Sequence, residues 1–144
     1  PRRSGINNWH VFKAHVDGDK NVIKNFQHIA ELSRAMHPAL ARAQWDEVAR
    51  LLREEWKLRR SNYSGISTPL IDRLIAVAAK TGGRAAKVCG AGGGGCVIFM
   101  VKDGAKERVA EALKINGGQL LQCRVAPQGL TTSVRKTRPQ PVLV

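Results

Sequence analysis

The sequence predicts an α+β fold, a small antiparallel sheet with helices packed on one face and further helices at the N-terminal end. Three observations predict it. The first 80 residues carry helix-period apolar stripes separated by capping residues. A glycine run at positions 90–95 sits between two short apolar segments of strand character. A helical segment and an alternating segment follow it, in the order helices, β, loop, β, α, β, with no internal repeat.

The elements follow in chain order. Residues 1–8, rich in Gly, Asn and Ser, read as loop, and residues 9–16 as a short helix. Asp17-Gly18-Asp19 breaks the chain, with Asp19 placed to cap the next helix rather than to share a metal with Asp17. From Lys20 onward, Val22, Phe26, Ile29, Ser33 and Met36 form one helical stripe, and Pro38 is expected to kink or restart it. A third helix begins near Trp45 and turns Trp45, Ala49, Leu52 and Trp56 inward. Thr68-Pro69 is an N-cap and N1 pair that opens a fourth helix, with Leu70, Ile71, Leu74, Ile75 and Ala78 inward and Gly82-Gly83 as the stop. Residues 85–89 form a short strand and residues 96–101, wholly apolar, a strand expected at the centre of a sheet. Residues 106–114 are helical, residues 119–126 alternate as a strand, and residues 129–134 add an edge strand. Residues 1–134 are thus expected to be one domain and residues 135–144, with two prolines, a flexible tail.

Composition bounds the function. At 144 residues and 43% hydrophobic, the chain suits a single packed core, and no apolar run reaches the ~20 residues of a membrane span. Cys89, Cys96 and Cys123 have no metal-ligand spacing and lie in apolar surroundings, so they are expected to be buried free thiols in a reducing cytoplasm. The Asn62-Tyr63-Ser64 sequon is then accidental. Lys and Arg number 24 against 11 Asp and Glu, a net charge of +13, which invites a nucleic-acid reading. The basic residues are dispersed, however, Arg59 and Arg60 fall at a helix C-terminus, and aromatics make up only 5%, so an anionic small molecule fits the charge better. His10, His15, His28 and His37 lack partners that would give them chemistry.

The glycine run decides more. Five glycines occupy the six positions 90–95, with Ala91 between the first two. The phosphate-loop pattern of nucleoside triphosphatases fails, because Cys96 and Val97 stand where Lys-Ser/Thr is required. Gly90, Gly92 and Gly95 match the dinucleotide pattern literally, but a β-branched apolar segment follows where a helix must begin. The protein-kinase glycine pattern also matches through Val97, with no catalytic loop or Asp-Phe-Gly downstream. What survives is a strand–loop–strand unit whose backbone N–H groups can converge on an anion, set against a purely structural connection on which another backbone packs.

"KVCGAGGGGCVIF", positions 87–99, resembles the third motif of the GHMP kinases, matched at Lys87, Gly90, Ala91, Gly92, Gly93, Gly94 and Gly95. "SGINNW" at 4–9 and "SGISTPLID" at 64–72 resemble one branch, the sugar kinases similar to D-glycero-D-manno-heptose 7-phosphate kinase. The resemblance implies a ferredoxin-like C-terminal domain with additional helices. It also implies ATP and Mg2+ as cofactors bound mainly by an N-terminal domain, and transfer of the γ-phosphoryl group to a sugar or sugar phosphate in a cleft between the domains. The family's main ATP loop, Pro-x-x-x-Gly-Leu-Gly-Ser-Ser, is not in this sequence, and the chain has no initiator Met. It is therefore expected to be the C-terminal domain of a longer kinase, inactive alone, with no catalytic residue or metal ligand of its own and with an apolar face left for the missing half. A homodimer stays open.

The resemblance assigns Gly90, Ala91, Gly92, Gly93, Gly94 and Gly95 to the phosphate side, where a branched residue at Gly93 should block approach. Lys87, Ser64, Gly65, Ser67, Asn7 and Asn8 become substrate-side candidates. An exposed strand lysine is the plainer reading of Lys87, and helix capping or a turn that of the others. Two rival functions stand beside the kinase. A stand-alone ferredoxin-like regulatory module would bind an amino acid or nucleotide unaided, and a basic RNA-binding domain would lose affinity steeply with salt.

Overall fold

The computed structural model describes residues 4–124, 126 and 128–133. Five α-helices and a two-stranded antiparallel sheet make up the described fold: α1 (Ser4–Val16), α2 (Lys20–Ala41), α3 (Trp45–Ser61), a 3-10 turn (Ser64–Ile66), α4 (Pro69–Thr81), β1 (Gly83–Val88), β2 (Val97–Val101) and α5 (Lys106–Ile115). The α+β plan therefore holds.

The caps that the sequence marks are made. Asp19 Oδ1 accepts from the amides of Asn21 and Val22 at 2.9 and 3.1 Å, which starts α2. Thr68 Oγ1 accepts from Ile71 N–H at 3.2 Å with Pro69 in the first turn, and Gly82, at φ +121°, ends α4. Pro38 neither kinks off nor restarts a helix. It lies in the last turn of α2, which runs on to Ala41.

β1 and β2 pair from Val88↔Val97 to Gly83↔Val101, with an irregularity between Gly83 and Ala85. Helices α3 and α4 pack against β1, α2 against α3, and α5 against α4. Val88, fully buried, joins Trp56, Ile66 and Ile71 in one core cluster. Phe99 and Val101 pack on Leu74, Ala78, Val109 and Leu113 between α4 and α5. Leu32, Ala39, Val48 and Leu51 form the α2–α3 core.

Several expectations are corrected. The loop expected over residues 1–8 is helical from Ser4, because burial of Asn7 against the body of the fold draws that turn into α1. Trp45 and Leu70 are exposed rather than inward, each at the first turn of its helix, beyond the packed stripe. β2 is one of two paired strands, not a central one, and Ile98 is 63% exposed. The described residues of 119–126 and 129–134 form no strand. Leu120, Leu121 and Leu130 are exposed, and among the described residues no further strand pairs with them to receive the alternation; Val125 and Val134 lie outside the described residues. The tail at 135–144 lies outside them as well. All three cysteines are exposed, since Cys89 and Cys96 sit beyond the paired strands and Cys123 follows α5 in irregular chain. No helix among the described residues is long and apolar enough to cross a membrane.

Candidate functional site

The glycine loop closes the β1–β2 hairpin. Its neck is fixed where Cys89 N–H donates to Cys96 O at 2.8 Å. Gly90, Gly92, Gly93, Gly94 and Gly95 all have positive φ, between 73° and 140°, a backbone that side-chain-bearing residues rarely adopt. That alone accounts for the composition of the run. The loop leads into a strand, and Gly90, Gly94 and Gly95 are exposed.

The glycines divide by what surrounds them. A Cβ on Gly92 would stand 2.4 Å from Ile66 O, and one on Gly93 would stand 2.6 Å from Asn7 Nδ2 and 3.0 Å from Gly65 O. These two are docking glycines. Gly93 N–H donates to Ile66 O at 2.8 Å, which ties the loop to the 3-10 turn. Around Gly90, Gly94 and Gly95 a Cβ would meet nothing within 4 Å, so these three leave backbone open to an approaching group. A branched residue at Gly93 would therefore strike the protein's own Asn7 and Gly65 before any ligand.

Asn7 binds the three motif stretches together. It is 2% exposed, its Nδ2 donates to Gly65 O at 2.8 Å, and the same nitrogen stands 3.5 Å from Ala91 O. Gly65 must be glycine for this approach, since a Cβ there would lie 2.8 Å from Asn7 Oδ1 and 2.5 Å from the Tyr63 ring. Asn7, Gly65 and the loop thus meet, although they lie far apart in the sequence. Ser67 instead donates from Oγ to Asp72 Oδ1 at 2.7 Å inside α4's first turn, the capping role weighed for it. Ser64 is exposed and Asn8 lies on the exposed side of α1.

Beside the loop opens a cleft of about 570 Å³ between α1 and α2, reaching Asn7, Asn8, Phe12, Phe26, Arg59 and Ala91 among its walls. Arg59 was read from the sequence only as a charge favouring the α3 terminus. Its Nε and Nη2 both reach Glu55 Oε1, at 2.6 and 2.5 Å, and Lys87 Nζ stands 3.7 Å from that oxygen. Lys87 also donates to Val88 O at 2.7 Å. The motif lysine is therefore directed to a carboxylate on α3 rather than free at the loop. Glu55 Oε2 is buried without a partner among the described residues. Helical spacing offered a signal for the Glu55–Arg59 pair, but nothing local in sequence placed Lys87 across from it.

The model of the C-terminal region of GHMP kinases matches residues 36–119. Mevalonate kinases of Pyrococcus abyssi and Pyrococcus horikoshii are 39% and 41% identical over 66 residues, 46% of this chain and 19% of each relative. The D-glycero-alpha-D-manno-heptose 7-phosphate kinase of Campylobacter jejuni is 25% identical over 113 residues, 78% of this chain and 33% of that protein. In these matches the chain spans between 19% and 33% of its relatives' length. The matched region takes in the 3-10 turn, the hairpin and the glycine loop in the order described above, and the chain belongs to the GHMP kinases, of which it carries the C-terminal domain.

Proposed function

We propose that this chain is the C-terminal half of an ATP-dependent kinase acting on a small sugar or sugar phosphate, with residues 1–134 as the domain and the glycine loop on the phosphate side of an interdomain site. The observation that carries this reading is the division of the loop. Gly92 and Gly93 dock it on the 3-10 turn, while Gly90, Gly94 and Gly95 hold bare left-handed backbone toward open space.

The fit to the cofactor is one-sided. Backbone without side chains at positions 90, 94 and 95 suits the phosphate end of ATP. Among the described residues no three His, Cys, Asp or Glu side chains group to hold a metal ion. In this proposal Mg2+ is held by the phosphates and by the N-terminal domain. Mg-ATP supplies the γ-phosphoryl group, and the protein's task in such a transfer is positioning and charge neutralisation. The loop amides contribute partial positive charge. Arg59, in the adjacent cleft, takes the anionic end of the acceptor, its fork held by Glu55, whose same oxygen Lys87 also faces. Phe12 and Phe26 offer apolar walls and Asn8 and Asn62 amides for hydroxyls. Heptose 7-phosphate and mevalonate, named in the relatives, are both anions, which agrees with a cationic acceptor cleft.

An N-terminal domain is the partner in this reading. On α1, Ile6, Trp9, Phe12 and Val16 are each more than half exposed, a face that a companion domain would cover.

The test is phosphoryl transfer from Mg-ATP by this chain alone and by the chain fused behind the nucleotide-binding half of a GHMP kinase. Heptose 7-phosphate and mevalonate serve as acceptors. The chain alone should be inactive and the fusion should turn over the sugar phosphate. Robust transfer by the chain alone would overturn the half-site, and a fusion that prefers mevalonate would overturn the sugar acceptor.

A further inference from the structure

The neck of the glycine loop carries two cysteines on opposite sides of the hairpin, joined by a backbone hydrogen bond. Val88 pairs with Val97, and one step further Cys89 N–H donates to Cys96 O at 2.8 Å, so the antiparallel register continues through the two cysteines. Directly opposed residues project to the same face of a hairpin. That face is the one bearing Lys87 and Ile98, two residues back along each strand, and not the one by which Val88 enters the core. Both cysteines are exposed. A hydrogen-bonded antiparallel pair has Cα atoms about 5.5 Å apart, inside the ~4.4–6.8 Å range that a disulfide spans. The residues adjoining them on the loop side are glycine, with nothing within 4 Å of a Cβ at Gly90, Gly94 or Gly95. Gly90, Gly94 and Gly95, which flank the neck, can therefore adjust to bring the sulfurs together while Gly92 and Gly93 stay docked on the 3-10 turn.

We propose that Cys89 and Cys96 are a modification site, a dithiol that a hydroperoxide closes into a disulfide across the neck of the loop. One thiolate attacks the peroxide O–O bond and becomes a sulfenic acid, releasing water from hydrogen peroxide. The second thiol attacks that sulfur, the S–S bond forms, and the hydroxyl leaves as a second water. Two thiols lose two electrons and two protons, and the peroxide takes up both. Thiol reductant reverses the bond. The chemistry stands on the hairpin alone. Its consequence, a fixed loop that no longer adjusts to phosphate, rests on the function proposed above.

The test uses the chain as it is. No Lys or Arg lies between Cys89 and Cys96, so trypsin releases both in one peptide, residues 88–102. The Cys123→Ser chain is treated with stoichiometric hydrogen peroxide, alkylated with iodoacetamide without reduction, digested and weighed. The expected peptide is lighter by two hydrogens and unalkylated, and dithiothreitol restores two alkylatable thiols. Two alkylated cysteines after peroxide, a peptide linked between two chains, or a sulfinic product in its place would each overturn the proposal. The same loss of two hydrogens in Cys96→Ser would overturn it too. These outcomes are read without any kinase assay, so they are independent of whether the chain phosphorylates anything.

Discussion

The side-chain amide of Asn7, in the first helix, donates to the carbonyl of Gly65 at 2.8 Å, 58 residues further along the chain. That single contact joins α1 to the 3-10 turn. The turn in turn holds the glycine loop through Gly93 N–H and Ile66 O. Three stretches far apart in sequence become one surface through two hydrogen bonds, one of them from a side chain that is almost wholly buried.

Asn7→Ala should therefore weaken the fold and loosen the loop together. Removing the donor leaves the half-buried Gly65 carbonyl without this partner, a loss of about 1 kcal/mol. Urea unfolding should show a lower midpoint, and amide exchange at Gly92 and Gly93 should quicken. An unchanged midpoint with unchanged exchange would show that the contact positions nothing.

The glycines should separate into two classes under alanine substitution. Any L-residue at these left-handed positions costs roughly 1–2 kcal/mol in backbone strain. At Gly92 and Gly93 the new methyl also meets Ile66 O or Asn7 Nδ2, at 2.4 and 2.6 Å, so Gly92→Ala and Gly93→Ala should destabilise beyond the strain alone. Gly95→Ala meets nothing within 4 Å and should keep the fold while cutting turnover in the assembled kinase. Equal unfolding midpoints for Gly93→Ala and Gly95→Ala would contradict this division.

Where local chemistry decides, the sequence was readable. Asp19, Thr68-Pro69 and Gly82 set helix ends through contacts within a few residues, and the ends came out where those residues stand. The hairpin was equally legible, because left-handed backbone between two apolar runs demands glycine. The start of α1 was not, since Gly5 and the two asparagines favour loop locally and only the distant Gly65 carbonyl rewards a helix. Residues 119–124 alternate as a strand should, yet a strand exists only with a partner to pair with, and alternation is silent about that. Of the candidate site, the loop, Asn7 and Gly65 were visible as motifs. Arg59 was hidden by having a sufficient local reason to be basic.

Pro38 offers a gain. It is exposed inside the last turn of α2, where it supplies no N–H to the helix. A helix-interior proline costs about 3 kcal/mol relative to alanine, partly offset by ~0.4–1 kcal/mol from a stiffer unfolded chain. Pro38→Ala should raise stability by about 1–2 kcal/mol, less than the full interior cost because the helix ends at Ala41. A drop in the urea midpoint would mean that proline is needed to set the α2–α3 turn.

Lys87, Glu55 and Arg59 give the last test, because they connect the motif lysine to the cleft between α1 and α2 through one carboxylate oxygen. Glu55 Oε1 receives Nε and Nη2 of Arg59 at 2.6 and 2.5 Å with Lys87 Nζ at 3.7 Å. Lys87→Met leaves the carboxylate with one cation, and Glu55→Gln leaves two cations with none. A double-mutant cycle on unfolding should yield a coupling of about 0.5–1 kcal/mol between them, small because Lys87 is partly in solvent. In the assembled kinase Arg59→Met should raise the KM for an anionic acceptor about tenfold, or ~1.4 kcal/mol, with kcat little changed. Glu55→Gln should raise it less, since the arginine remains but loses its brace, and Arg59→Lys should restore part of the affinity without the fork geometry. The split between KM and kcat is what a merely structural arginine would not produce. If Arg59→Met lowers stability and leaves acceptor KM alone, the guanidinium serves α3, and the cleft draws its anion by some other group.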